Sequence, residues 1–200
     1  MGVLVRVLAV VLAYLLGSIP FGYLAGRYWH GVDIRQRGSG NIGTTNAFRV
    51  LGKAAGSLVF VGDLAKGLVA VLLGTWIGGP VFGLVTGLAA VLGHNYSVFL
   101  GFRGGRGVAT SAGAVLAAAP VVLAASLAVW LATLFIGRYV SLASIMAAAS
   151  LPVLMAVLGY GPGYVVFGLL LAFLMIYGHR PNLQRLARGT EPRLHFGKKG

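Results

Sequence analysis

Long apolar stretches constrain this chain more than any other feature of its sequence. They occupy residues 3–25, 54–77, 81–100 and 163–177, and each is near the roughly 20 residues that an α-helix needs to span about 30 Å of hydrocarbon. The stretches are continuous, whereas the strands of a membrane barrel alternate in polarity. Because 58% of the residues are hydrophobic and 10% are charged, a water-soluble fold would lack polar surface. The sequence predicts an all-α, polytopic transmembrane protein with a single domain over residues 1–200.

The distribution of basic residues predicts the topology. The chain has 16 Lys and Arg residues against three acidic residues, and all of the basic residues but Arg6 and Lys66 cluster around residues 27–53, 103–106, 138 and 180–199. Cytoplasmic loops are enriched in Lys and Arg, so we place all four clusters in the cytoplasm. Seven transmembrane helices follow, with the N-terminus outside and the C-terminus in the cytoplasm. Two of the seven must fit between Arg106 and Arg138, with a break at Pro120, and the first of them only partly crosses the membrane.

A five-helix arrangement is the alternative to seven helices. It treats residues 108–136 as one long helix and places Arg138 on the side opposite the other basic clusters. Either arrangement leaves Arg6 on the outside, as an exception to the charge rule.

Composition excludes several kinds of site. The chain has no cysteine, which rules out disulfides, thiolate metal sites and a cysteine nucleophile. No cluster of histidines or carboxylates indicates a metal, and we predict neither a metal nor a cofactor. A net charge of +13 would indicate a nucleic-acid partner in a soluble protein. In a membrane protein the positive-inside rule explains much of this charge, so we predict no nucleic-acid partner.

A first polar segment, residues 33–49, combines glycines with hydrogen-bond donors. Its glycines follow the pattern G-x-G-x-x-G: Gly38, Gly40 and Gly43. No strand precedes them, so a dinucleotide fold is not predicted. Glycines still allow backbone N–H groups to converge on an anion at a helix start. Neutral donors and a cation are available from Ser39, Thr45, Asn46 and Arg49. We interpret the segment as a phosphate site, against the alternative of an ordinary turn at the membrane surface.

A second polar segment, residues 93–110, surrounds two arginines with glycines. Arg103 and Arg106 stand next to Gly104, Gly105 and Gly107. Arginines alone would serve as anchors at the membrane surface, but the glycines allow a close approach to a phosphate. His94 and Asn95 precede these residues, and a structural role for the histidine is the alternative to substrate binding.

Further polar residues occur at three other places. Arg138 is followed by Ser141 and Ser144, which share one helical face, and His179 precedes Asn182 at the end of the last helix. Serine in a membrane helix commonly serves packing, and substrate contact is the other interpretation. Within an apolar stretch, Asp63 and Lys66 are either an intrahelical ion pair or a device that orients the cationic site.

With these motifs in place, the sequence closely resembles the bacterial acyl-phosphate-dependent glycerol-3-phosphate acyltransferase family. The resemblance covers essentially the whole chain and rests on Gly17-Ser-Ile-Pro-Phe-Gly, Gly38-Ser-Gly-Asn-Ile-Gly-Thr-Thr-Asn, Gly93-His-Asn, Phe102-Arg-Gly-Gly-Arg-Gly-Val-Ala-Thr, Arg138-Tyr-Val-Ser and His179-Arg-Pro-Asn. It implies a seven-helix membrane fold, acyl phosphate as the donor without use of acyl-CoA, and lysophosphatidic acid plus phosphate as products. By matching position, it implies a glycerol-phosphate and phosphate pocket formed by Ser39, Asn41, Thr45, Arg49, Arg106, Ser144, His179 and Asn182.

The sequence departs from the family pattern in the second polar segment. The family usually has lysine where Arg103 and Arg106 stand, and proline near Ser97. Arginine keeps the charge and adds a planar fork, so phosphate binding is expected to persist. A lysine that acted by losing a proton could not be replaced in this way.

Together, the motifs and the resemblance give a set of expected site residues. We expect catalytic roles for Ser39, Arg49, Arg106 and His179. We expect substrate binding by Gly40, Asn41, Gly43, Thr45, Asn46, His94, Arg103, Gly104, Gly105, Arg138, Ser141, Ser144 and Asn182.

The expected function is acyl transfer from acyl phosphate to the sn-1 hydroxyl of glycerol 3-phosphate, the first step of phospholipid synthesis. The expected partners are the two substrates, membrane lipid and an upstream enzyme that produces acyl phosphate. The expected location is the bacterial inner membrane, with multiple spans and the active site facing the cytoplasm. A transporter for an organic phosphate is the alternative. Acyl-CoA-dependent transfer is less favoured, because Phe99 follows His94 where a His-x4-Asp arrangement would place aspartate.

Overall fold

The computed structural model describes residues 2–194. None of these residues lies in a β-strand, which confirms the all-α prediction. The helices are α1 Val3–Ser18, α2 Phe21–Trp29, α3 Thr44–Gly78, α4 Pro80–Asn95, α5 Val108–Ala118, α6 Pro120–Gly137, α7 Val140–Val157, α8 Pro162–Gly178 and α9 Arg180–Ala187, with short 3-10 helices at Ile34–Gln36 and Val98–Leu100.

Several of these helices can span a membrane by length and composition. Four described segments pass that test individually: α3, α6, α7, and α4 together with the 3-10 helix that follows it, residues Pro80–Leu100. The number rises to six if two bent pairs each form one span. The pairs are α1 with α2, bent by 41°, and α8 with α9, bent by 59°. Helix α5 has 11 residues and is therefore only about 16 Å long.

The break predicted at Pro120 is confirmed. Ala119 has non-helical dihedral angles (φ −155°, ψ 71°) and separates α5 from α6. Proline has no N–H to donate and its ring clashes with the preceding turn, which favours the end of α5 before Pro120. Pro120 is the first residue of α6, a position that proline tolerates. Residues 108–136 therefore do not form the single long helix of the five-helix alternative.

Two helix boundaries differ from those expected. The first apolar stretch, residues 3–25, does not form one continuous helix, because the chain bends at Ile19 and Pro20 between α1 and α2. Helix α3 begins at Thr44, ten residues before the apolar stretch does, with Gly52 (φ 83°, ψ −175°) as a non-helical residue inside it. The first turns of α3 are polar, so apolar content alone could not reveal them.

The chain divides into two compact units, of which the first ends at Pro120. In this N-terminal unit, close helix approach depends on glycine. A Cβ at Gly67 would overlap the carbonyl oxygen of Thr110 in α5, and one at Gly93 would overlap that of Tyr14 in α1. Small residues at such crossings allow backbones to approach closely in membrane proteins. The prediction of a single domain over residues 1–200 stays a prediction.

The C-terminal unit begins at Val121 and contains α7 packed against α8. Gly168 of α8 faces the backbone of Pro152 in α7, where a Cβ would lie 3.0 Å from the proline nitrogen. Ser126 of α6 donates a hydrogen bond of 3.2 Å to the carbonyl oxygen of Ala147. Small residues and proline thus set how closely the helices of this unit approach.

Candidate functional site

The first glycine loop, residues 37–43, connects the 3-10 helix Ile34–Gln36 to α3. Gly38 and Gly40 have positive φ values of 59° and 71°, a conformation that glycine adopts without steric penalty. A tight turn forms where the N–H of Gly40 donates to the carbonyl oxygen of Arg37 at 3.0 Å. A Cβ at Gly38 would overlap the side-chain oxygen of Asn46. The glycines are therefore required by the shape of the loop.

Asn46 holds the first glycine loop from inside. Its Nδ2 lies 3.3, 3.1 and 2.8 Å from the carbonyl oxygens of Ile34, Arg37 and Asn41, and its Oδ1 accepts from the N–H of Ser39 at 2.9 Å. The residue is 2% exposed. We expected Asn46 to bind substrate, and the contacts described for its side chain are all with the backbone of residues 34–41.

Donors remain available where the loop enters α3. Ser39, Thr45 and Arg49 are exposed, and their side chains form no hydrogen bond or ion pair with residues 2–194. Asn41 Oδ1 accepts from the N–H of Gly43 at 2.8 Å, just before the helix begins. The first N–H groups of a helix lack intrahelical partners and carry partial positive charge. This end of the loop can therefore bind an anion.

The carboxylate that precedes the loop is neutralised locally. Asp33 Oδ2 lies 2.7 Å from Arg35 Nη2, and Asp33 Oδ1 accepts from the backbone N–H of Arg35 at 3.0 Å. The hydrogen bond from the Arg35 side chain is the main reason why the pKa of Asp33 is lowered, and it outweighs the opposing effect of burial. The pair limits the repulsion between Asp33 and an incoming anion.

The second glycine loop, residues 101–107, is also strongly bent. Gly101, Phe102 and Gly107 have positive φ values of 63°, 61° and 76°. For Phe102 this conformation costs about 1–2 kcal/mol, and its N–H donates to the carbonyl oxygen of Ser97 at 2.8 Å. Backbone strain of this kind is concentrated at functional sites.

The second glycine loop folds back onto the end of α4. The N–H of Gly105 donates to the carbonyl oxygen of His94 at 2.9 Å, and a Cβ at Gly104 would overlap the same oxygen. The N–H groups of Gly104 and Gly107 form no hydrogen bond within residues 2–194. Together with Arg103, whose side chain is exposed, they are donors that an anion can use.

The two glycine loops share one apolar support in the N-terminal unit. Ile34, Ile42 and Ala47 belong to the buried cluster below the first loop, and Leu100, just before the second loop, packs against that cluster. The predicted phosphate-binding segments are therefore joined through this apolar cluster.

In the C-terminal unit, one carboxylate organises the polar residues. We define the Glu191 cluster as Glu191, Ser141, Asn182 and Arg185. Glu191 Oε1 accepts from Ser141 Oγ at 2.7 Å and from Asn182 Nδ2 at 2.6 Å, while Oε2 accepts from Arg185 Nε at 2.7 Å. Burial acts to raise the pKa of Glu191, but the three hydrogen bonds and the charge of Arg185 lower it overall. Glu191 is thus an ionised acceptor that orients two predicted substrate-binding residues.

The other predicted residues of this unit have different surroundings. His179 is 3% exposed and its Nδ1 lies 2.7 Å from the carbonyl oxygen of Met175. Because a carbonyl oxygen only accepts, Nδ1 carries the proton. Ser144 Oγ donates to the carbonyl oxygen of Val140 at 2.9 Å and accepts from Trp130 Nε1 at 3.3 Å, as a packing serine does. Arg138, with a positive φ of 61°, is exposed after α6.

Two contacts were missed by sequence reasoning. Glu191 is one of only three acidic residues, which was the available signal for its importance. Asp63 and Lys66 form an intrahelical ion pair at 2.8 Å, which was one of the two interpretations, but His94 is a third member, with Nδ1 at 3.4 Å from Asp63 Oδ1. Within residues 2–194, no group of three or more histidines and carboxylates could hold a metal ion.

Comparisons with known proteins find relatives that match this chain over most of its length. Residues 7–189 match the family described as glycerol-3-phosphate acyltransferase. The glycerol-3-phosphate acyltransferase of Desulforudis audaxviator is 52% identical over 198 residues, covering 99% of this chain and 100% of that protein. Glycerol-3-phosphate acyltransferase 2 of Moorella thermoacetica is 52% identical over 187 residues, covering 94% and 96%.

Solved structures give the same result. The glycerol 3-phosphate form of PlsY (YgiH), an integral membrane glycerol 3-phosphate acyltransferase, superimposes with a TM-score of 0.91 and 45% identity, covering 95% of this chain and 96% of that one. Its lysophosphatidic acid form gives a TM-score of 0.88 at 44% identity, covering 95% of each chain.

Proposed function

This chain belongs to the glycerol-3-phosphate acyltransferase family, and from that premise we propose that it transfers a fatty acyl group from acyl phosphate to the sn-1 hydroxyl of glycerol 3-phosphate. The observation that carries the proposal is the packing of both glycine loops on the same apolar cluster. Each loop also has donors that form no hydrogen bond within residues 2–194: the side chains of Ser39, Thr45 and Arg49 in the first loop, and the N–H groups of Gly104 and Gly107 in the second. Two phosphate-bearing substrates require two such groups of donors.

The reaction needs little covalent chemistry from the protein. The sn-1 oxygen attacks the carbonyl carbon, the bond from that carbon to the phosphate oxygen breaks, and lysophosphatidic acid and inorganic phosphate leave. The hydroxyl proton passes to an oxygen of the departing phosphate. The protein must hold both substrates together and stabilise the oxyanion that develops on the carbonyl. Cations and N–H groups serve these purposes, which accounts for a site that is rich in arginine and poor in carboxylates.

We assign the residues of the N-terminal unit to the phosphates. Ser39, Thr45 and Arg49 bind one phosphate at the start of α3, where the helix dipole favours an anion. Arg103 and Arg106 of the second glycine loop bind the other, with the N–H groups of residues 104 and 107. Arginine presents a fork of donors that suits a phosphate.

In the C-terminal unit we assign His179 and Asn182 to positioning of the reactants. His179 donates from Nδ1 to Met175, so in a neutral imidazole Nε2 is the accepting nitrogen. Asn182 is held through Nδ2, and its buried Oδ1 has no hydrogen-bond partner in the described chain. That oxygen is suited to accept from a substrate hydroxyl.

We also propose the finer topology and location. Helix α5 is the short additional span that brings the number to seven, with the N-terminus outside and the C-terminus in the cytoplasm. The basic clusters then lie on the cytoplasmic side, where glycerol 3-phosphate is available. The location would be the inner membrane of a bacterium, with an upstream enzyme that supplies acyl phosphate.

The test is acyl transfer to labelled glycerol 3-phosphate by purified protein in a lipid environment, with palmitoyl phosphate and palmitoyl-CoA compared as donors. We expect lysophosphatidic acid from palmitoyl phosphate only. Product from palmitoyl-CoA at a similar rate would contradict the proposed donor. Folded protein that binds glycerol 3-phosphate but makes no product with either donor would favour a transporter.

A further inference from the structure

Three ionisable side chains meet in the interior of the N-terminal unit. Asp63 Oδ1 lies 2.8 Å from Lys66 Nζ and 3.4 Å from His94 Nδ1, and the three residues are 2%, 2% and 4% exposed. Asp63 and Lys66 belong to α3 and His94 to α4, and both helices lie in candidate membrane spans, Thr44–Gly78 and Pro80–Leu100. Ionisable groups at such positions are expensive and mark functional sites. We call Asp63, Lys66 and His94 the buried triad.

Lys66 connects the buried triad to the end of α1. Its Nζ donates to the carbonyl oxygen of Ile19 at 3.0 Å, where the chain bends into α2. It also lies 5.8 Å from the centre of the Phe21 ring. The lysine thus balances the charge of Asp63 and holds it in place. An ion pair alone would be complete with these two residues, so the position of His94 beside the carboxylate calls for another explanation.

His94 connects the buried triad to the second glycine loop. Its carbonyl oxygen accepts from the N–H of Gly105, and its ring lies so close to Gly105 that a Cβ there would overlap Nε2. A Cβ at Gly104 would overlap the His94 carbonyl oxygen. The loop backbone therefore rests against both the main chain and the ring of His94. A rotation of this ring would move the N–H groups that the loop offers to an anion.

We propose that Asp63 and Lys66 are positioning residues that act through His94 to fix the second glycine loop in its phosphate-binding shape, an inference that rests on the proposed function. The Asp63 carboxylate sets the orientation of the imidazole, and Lys66 fixes the carboxylate. The two residues do not touch the substrates. They determine where the donors of residues 103–107 stand when a phosphate arrives.

The decisive variant is the double substitution Asp63→Leu with Lys66→Met. Replacing a buried ion pair by apolar residues of similar size is often tolerated by the fold, whereas removing one partner leaves an unpaired charge. The matched control is Thr86→Val, which removes a buried hydrogen bond of 2.7 Å to the carbonyl oxygen of Ala70, also between α3 and α4. The hydrogen bonds of Thr86 go to the carbonyl oxygens of Ala70, Phe82 and Gly83 and to none of the buried triad.

Two readouts separate positioning from packing. The first is kcat/KM for glycerol 3-phosphate and palmitoyl phosphate, because misplacing donors by about 1 Å can cost about a hundredfold in rate. The second is the mobility of a spin label at Phe102→Cys, which needs no substrate. The chain has no cysteine of its own and Phe102 is 63% exposed, so labelling is confined to the loop.

We expect the double variant to have the same thermal stability as the Thr86→Val control and to lose tenfold or more in kcat/KM. We also expect the spin label to be more mobile in the double variant than in the wild-type background. Wild-type kcat/KM and label mobility in the double variant would overturn the inference, since the pair would then serve packing only. If the double variant does not fold, the label is read in His94→Ala, which removes the ring and leaves the Asp63–Lys66 ion pair intact; unchanged label mobility there would also overturn the inference. If wild-type protein makes no lysophosphatidic acid, the proposed function fails, and the label still decides whether the buried triad fixes the loop.

Discussion

Replacing Glu191 by glutamine changes charge and hydrogen-bond pattern but not shape. The glutamine oxygen can still accept from Ser141 and Asn182, as Oε1 does now. Its amide nitrogen then faces Arg185 Nε, so two donors meet where a charge-assisted hydrogen bond of 2.7 Å existed. Turning the amide around restores Arg185 but places donor against donor at Asn182. One of the three hydrogen bonds is lost in either orientation.

The magnitude follows from the exposure of the partners. A hydrogen bond to a charged group contributes about 1.5–3 kcal/mol. The side chain of Glu191 is 7% exposed and that of Arg185 is 36% exposed, so water can replace part of the interaction for the arginine. We therefore expect the lower end, a loss of about 1.5 kcal/mol in the free energy of unfolding, or about tenfold in the equilibrium constant.

The assay is equilibrium unfolding by sodium dodecyl sulfate in mild-detergent micelles. With Trp29 and Trp76 replaced by phenylalanine, Trp130 is the remaining tryptophan and reports on the C-terminal unit. The control is Thr190→Val, which removes an exposed hydrogen bond of 3.4 Å next to the cluster and should change stability by less than about 0.5 kcal/mol. Equal stabilities of the Glu191→Gln and control proteins would refute the assigned role of the carboxylate.

Three further predictions use other assays. The hydrogen bonds of Glu191 lower its pKa from 4.5, so its stabilising effect is present above pH 4.5 and is lost as the pH falls through the folded-state pKa. The unfolding free energies of wild type and Glu191→Gln should therefore differ at pH 7 and converge toward pH 3, and an equal difference at both pH values would exclude this linkage. Gly105→Ala should lower kcat/KM tenfold or more because its methyl group overlaps His94, whereas Gly161→Ala, with nothing within 4 Å, should retain wild-type kinetics; equal rates would refute the contact. Asn46→Asp should lower the free energy of unfolding by about 1–3 kcal/mol, since an acceptor then faces the carbonyl oxygens of the first glycine loop. Thermal unfolding and calorimetric titration with glycerol 3-phosphate check this, and an unchanged melting temperature with unchanged glycerol 3-phosphate affinity would be the contrary result.

Local signals in the sequence predicted most of the helices. The break before Pro120 was predictable because the missing N–H of proline acts on adjacent residues. The same rule, applied to Pro20, would have divided the first apolar stretch at Ile19. The start of α3 at Thr44 could not be read from apolar content, because its first turns are polar.

The candidate site was predictable where its chemistry is local in sequence. Glycines, donors and arginines within a dozen residues marked both glycine loops. The partners of Glu191 were not predictable, because Ser141 precedes it by 50 positions and periodicity carries no information about such contacts. For the same reason Asp63 and Lys66 were recognised as a pair, one helical turn apart, while His94 was not.

The way in which Asn46 holds the first glycine loop has a consequence for inhibitors. The loop is shaped by a side chain of the protein itself, so its binding-competent shape exists before any ligand arrives. Binding to a preorganised receptor involves little loss of conformational freedom on the protein side. A small, rigid phosphonate that matches the fixed donors should therefore gain more affinity per atom than a longer, flexible compound.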